Sequence, residues 1–115
     1  MTGPDYGWVR IEGGRLTVLR EMPFDARELE SACRRLLASE EPRLVIDLTR
    51  VGYVASTQVG ALIGASARAA EGGRALRILV GPELQRFLER ARLEGVLDYE
   101  VVTPEGGPPA PPARG

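Results

Sequence analysis

The chain has 115 residues, 43% of them hydrophobic and 27% charged, which suits one globular domain with a single core. Its 15 basic residues, all arginine, and 16 acidic residues are interspersed to a net charge of −1, so the basic footprint of nucleic-acid binding is missing. The absence of histidine excludes Ser-His and Cys-His catalytic pairs and removes the commonest metal ligand.

Tyr6 to Glu12 alternates weakly and meets Gly13-Gly14, and Arg15 to Arg20 follows as a second short strand, so the segment reads as a β-hairpin with a two-residue turn. Asp25, with Glu28 three residues on, predicts the start of a helix whose apolar stripe is Leu29, Ala32, Cys33, Leu36 and Leu37. Pro42 closes that segment. Leu44 to Leu48 reads as a continuously apolar strand, as expected of one covered on both faces. A helix from about Ser56 to Glu71 would turn Val59, Leu62, Ile63, Ala69 and Ala70 inward. Gly60, Ala61, Gly64 and Ala65 would let it lie close to what it packs on, and Gly72-Gly73 would end it.

Arg77 to Val80 reads as a strand. Gly81-Pro82 opens a third helix, buried along Leu84, Phe87, Leu88 and Ala91. Tyr99 to Val102 is the last strand. The order β-β-α-β-α-β-α-β predicts an α/β domain over 1–103, with a mixed, mostly parallel sheet behind an N-terminal hairpin and about three main helices. The Pro- and Gly-rich tail, 104–115, lacks core-forming residues and is expected to be disordered.

The most informative stretch is Arg43 to Leu62, RLVIDLTRVGYVASTQVGAL. A strand runs through Asp47-Leu48-Thr49 into a loop ending at Ala55-Ser56-Thr57-Gln58, where a small-residue helix begins. Two hydroxyls therefore stand at a helix N-terminus, where unpaired N–H groups and the helix dipole favour negative charge. Ser56 has two readings, an exposed phosphoacceptor or the N-cap of the helix. Thr57 shares the ambiguity just inside the helix. Gln58 reads as a partner contact or as a solvated first-turn residue, and Asp47 as a ligand group at a strand's carboxyl end or a hydrogen-bonding partner for the following loop. Cys33, on an apolar stripe, reads as a buried, inert thiol.

These features together resemble the STAS domain of sulfate transporters and anti-sigma factor antagonists, over about Tyr6 to Val102. The matching pieces are V-I-D-L-T (Val45 to Thr49), V-x-x-V (Val51 to Val54), V-G-A-L (Val59 to Leu62), G-G-R-A-L-R-I-L-V (Gly72 to Val80), and a helix from Pro82 to Val96 ending in Glu94-Gly95-Val96. The resemblance implies that Ser56 stands at a position phosphorylated by a partner that is both kinase and anti-sigma factor, with Thr57 the next hydroxyl. Ala55 stands where the family has Asp, and Gln58 where it has Gly. The Met22-Pro23-Phe24 link also departs from the family's usual Gly-x-Leu-Asp.

What the residues and the resemblance imply is a cytoplasmic domain that works by binding proteins and is not an enzyme. No catalytic, cofactor or metal residues are expected. The expected binding surface is Gly52, Tyr53, Ala55, Ser56, Thr57 and Gln58, and the expected partner is a kinase-type anti-sigma factor. The alternative is an adaptor that needs no phosphorylation, serving a lipid-transport ATPase or a signalling scaffold. A third possibility is a small-ligand or nucleotide module using the carboxyl end of the sheet. No secretory signal, apolar run of about 20 residues or disulfide pairing is expected.

Overall fold

The computed structural model describes residues 7–22, 25–93 and 95–102. Tyr6, Pro23, Phe24, Glu94 and the tail lie outside the described residues. The elements are β1 (Val9–Glu12), β2 (Arg15–Val18), α1 (Ala26–Leu37), β3 (Arg43–Leu48), α2 (Ser56–Glu71), β4 (Ala75–Val80), α3 (Pro82–Arg90) and β5 (Glu100–Val101). They form a five-stranded sheet in the order β1-β2-β3-β4-β5. β1 and β2 are antiparallel, and every later pair is parallel. The hairpin turn is possible because Gly13 and Gly14 both take positive φ (59° and 78°), which matches the twist of the flanking strands.

Each parallel step moves one place in the same direction, so right-handed crossovers carry the helices to one side of the sheet. The register shows the result. Leu16, Ile46 and Ile78 lie side by side across β2, β3 and β4, all buried, while on the other face Arg15, Val45 and Arg77 align, the two arginines exposed and Val45 half-buried. The expectation that β3 is covered on both faces is therefore corrected. The outer face of the sheet carries ion pairs instead, Arg15 of β2 to Asp47 of β3 at 2.6 Å and Arg77 of β4 to Glu100 of β5 at 2.5 Å.

One continuous core runs from Trp8 and Val9 through Leu29, Leu36, Ile46 and Leu62 to Leu84, Leu88 and Leu97. Each fully buried aliphatic side chain contributes roughly 1.5–3 kcal/mol. In α1, Asp25 Oδ1 accepts the Arg27 N–H at 3.0 Å as N-cap, and Leu29, Ala32, Cys33 and Leu36 are buried as the stripe predicts, with Leu37 only partly so. In α2 the inward side is Val59, Ala61, Leu62, Ala65 and Ala69; Ala70 is exposed.

α3 is shorter than expected, ending at Arg90 and not Val96. Arg92 adopts the left-handed conformation (φ 61°), its N–H bonds to the Glu89 carbonyl at 3.1 Å, and the Leu93 N–H reaches the Leu88 carbonyl at 2.8 Å. This pair of bonds closes a helix end of the kind usually built on glycine, with no glycine there to announce it. Ala91, expected on the buried stripe, is the cap residue and is exposed.

Candidate functional site

The site is assembled where β2, β3 and β4 all deliver their carboxyl ends. Asp47 secures the exit of β3. Its Oδ1 accepts the Thr49 N–H at 3.0 Å and the Thr49 hydroxyl at 2.7 Å, and its Oδ2 accepts from Arg15. Partial burial alone would raise its pKa, but the Thr49 and Arg15 hydrogen bonds outweigh burial and hold the carboxyl below its ordinary value. Of the two readings of Asp47, the geometry shows the loop-bonding one.

Val51 and Val54 are buried and pin the loop between β3 and α2, leaving Gly52 half-buried and Tyr53 48% exposed. The Tyr53 ring rests against Phe87 of α3, centroids 6.0 Å apart. α2 then begins with Ala55 as its N-cap, so the N-cap reading of Ser56 is corrected: Ser56 and Thr57 are the first two helical residues, and both are exposed.

The missing side-chain cap is replaced from inside the helix. Gln58 Oε1 accepts the Ala55 N–H at 2.7 Å, supplying one half of a reciprocal capping box whose other half alanine cannot provide. Gln58 is only 2% exposed, which corrects its reading as a solvated or partner-facing residue. The signal was present in the sequence, since glutamine at the third helical position is the acceptor of that box.

Ser56, Thr57 and Gly60 are exposed on α2 and Gly64 is half-buried; among the described residues a β-carbon at either glycine would meet nothing within 4 Å. The close-packing role expected of the four small residues thus holds for the buried Ala61 and Ala65 and not for the glycines.

Beside this face lies a cavity of about 270 Å³. Glu21 and Met22 line it after β2, Val51, Gly52 and Tyr53 after β3, with Gln58 of α2 and Glu83 of α3. The carboxylate of Glu83 occupies the space that a Gly52 side chain would fill, 2.9 Å from the ideal β-carbon position. Sequence reasoning missed Glu21, Met22 and Glu83, which become neighbours only when three strands align. Among the described residues no group of three or more Cys, Asp or Glu side chains is placed to hold a metal. Cys33 is buried on α1, and burial pushes its thiol up to about 12. No described helix is long and apolar enough to cross a membrane.

This α/β architecture, with exposed hydroxyls opening the helix after the central strand, defines a STAS-type domain. The family model described as "Mlab, STAS domain" matches residues 16–102, and the chain belongs to that family. No curated protein matches the sequence. Among solved structures the fold is similar to SiaC of Pseudomonas aeruginosa, at 21% identity over 77% of this chain and 79% of that one, with a TM-score of 0.49. It is also similar to a chain in the complex of the diguanylate cyclase SiaD with its activator SiaC from Pseudomonas aeruginosa. There the identity is 20% over 78% of this chain and 82% of that one, with a TM-score of 0.50.

Proposed function

We propose that this chain is a protein-binding regulatory domain of the partner-switching kind. Its interface is the loop from Gly52 to Thr57 together with the open side of the first turns of α2. The observation that carries the reading is the glycine pair. Gly60 and Gly64 each cost a helix interior about 1 kcal/mol relative to alanine, yet nothing among the described residues uses the space they leave. A smooth helix face serves close approach by another backbone. The solved complex of SiaC with SiaD illustrates a protein of this fold acting by contact with another protein.

Ser56 and Thr57 supply the means of control. Both hydroxyls are exposed at the helix N-terminus, where a phosphate is favoured electrostatically. It would add about −1.5 to −2 charge and bulk in the middle of the interface. A kinase-type anti-sigma factor in the cytoplasm is the partner this reading requires, and the chain itself carries out no chemistry. A second reading is supported by Ala55 and Gln58. The helix start is locked from within by a buried glutamine, so docking would need no change of state. In that case the chain is a constant adaptor for a transporter ATPase or scaffold.

The test begins with capture of the partner from the native host, reading partners and phosphopeptides together by mass spectrometry. Affinity for that partner is then compared among wild type, Ser56→Ala, Ser56→Glu and Gly60→Arg. Partner switching requires Ser56→Glu to lose at least about tenfold while Ser56→Ala binds normally. Equal binding by both Ser56 variants would favour the adaptor, and unimpaired binding by Gly60→Arg would remove the proposed interface.

A further inference from the structure

The cavity beside the helix face has a chemical character that the docking reading does not use. Its volume, about 270 Å³, falls just below the roughly 300–1,000 Å³ of pockets that enclose whole small molecules, and suits a single long side chain. Two carboxylates line it from different elements, Glu21 after β2 and Glu83 at the start of α3. Neither has an ion pair or side-chain hydrogen bond among the described residues. Arginine makes up every basic residue of this chain; Arg20 and Arg50 adjoin the lining segments in sequence, and Arg86 lies three positions after Glu83. None of them lines the cavity.

Tyr53 adds an aromatic wall. Phe87 supports its ring, and about half of the residue remains exposed. Met22 and Val51 supply apolar contact for an aliphatic stem. Gly52 makes the arrangement possible, because any side chain there would collide with the Glu83 carboxylate. An aromatic face, an apolar throat and two unpaired carboxylates match a guanidinium better than a compact ammonium. A planar guanidinium stacks on aromatic faces and donates to carboxylates through several N–H groups, whereas an ammonium acts as a point charge.

We propose that this cavity is the socket for an arginine side chain of the protein partner, seated between Glu21, Glu83 and the Tyr53 ring. The proposal rests on the protein-docking reading and names the anchor that the partner must carry. It places the anchor at the carboxyl ends of the parallel strands, next to the helix face but separate from it.

The test uses the full chain, ¹⁵N-labelled, titrated with N-acetyl-arginine N-methylamide and, in parallel, with the lysine and glutamine analogues. One isolated side chain should bind with a Kd in the millimolar range and shift the amide signals of Gly52, Tyr53 and Glu83. Added salt should weaken it. The lysine analogue should bind at least about threefold more weakly, and the glutamine analogue should produce no localised shifts. Glu21→Gln with Glu83→Gln, both at exposed positions, should weaken the arginine probe at least about tenfold while leaving the far-UV spectrum intact.

Absence of localised shifts, equal binding by the lysine or glutamine analogue, or full binding by the double variant would each overturn the socket. Failure of the docking reading shows elsewhere: Gly60→Arg would leave partner affinity unchanged while the arginine probe still bound wild type.

Discussion

Gln58 supplies the one half of a helix cap that an alanine N-cap leaves possible. With alanine at the N-cap, the first turn of α2 has no side-chain acceptor ahead of it. The carboxamide folds back to the Ala55 N–H at 2.7 Å and is buried in doing so. Asp47 has a comparable role one loop earlier, and its acid sensitivity can be read directly. Its folded pKa is depressed below the ordinary value of about 3.9. The stabilisation is therefore present above the unfolded pKa and is lost as pH falls through the folded one. At pH 7, Asp47→Asn should cost about 1 kcal/mol, because the two Thr49 hydrogen bonds and the exposed Arg15 contact all lose the carboxylate's charge. Urea midpoints of the two proteins should converge as the pH is lowered below 4. A gap that stays constant with pH would show that Asp47 contributes through shape alone.

Among the elements, α2 departs most from what stability would select. Gly60 and Gly64 lie within a 16-residue helix with open space where β-carbons would be. Replacing either with alanine should stabilise the fold by about 0.5–1 kcal/mol, read from the denaturant midpoint at unchanged slope. The same substitutions should weaken partner binding, because the methyl groups stand on the docking face. A gain in stability without loss of binding would leave the glycines without a purpose at the interface. Gly81 is the opposite case. A β-carbon there would sit 2.8 Å from the Thr49 carbonyl oxygen, so the junction between β4 and α3 depends on its absence.

At the scale of the whole molecule, the hairpin and the parallel layers share one core. Trp8, the chain's single tryptophan, is 7% exposed and belongs to the same cluster as Leu29 and Leu62. Tryptophan fluorescence and far-UV circular dichroism should therefore report one coincident unfolding transition, as a two-state domain requires. A fluorescence change at lower denaturant would mean that the hairpin detaches as a separate unit. The uncovered face of the sheet is not an apolar liability, since its Arg15–Asp47 and Arg77–Glu100 pairs keep it polar.

The order of the elements, the stripe of α1 and the place of the two hydroxyls were legible in the sequence because they rest on local periodicity and turn chemistry. Leu29, Ala32, Cys33 and Leu36 mark a buried face by spacing alone, and Gly13-Gly14 marks a turn by its backbone freedom. The end of α3 was not legible, because Arg92 takes a conformation that sequence assigns to glycine. Nor was the half-open outer face of β3. Val45 is as apolar as Ile46, and only the direction of three successive crossovers decides which of them the helices cover. The cavity belongs wholly to the tertiary structure. Glu21 and Glu83 are 62 positions apart, and only the parallel alignment of β2, β3 and β4 brings their carboxylates to one rim.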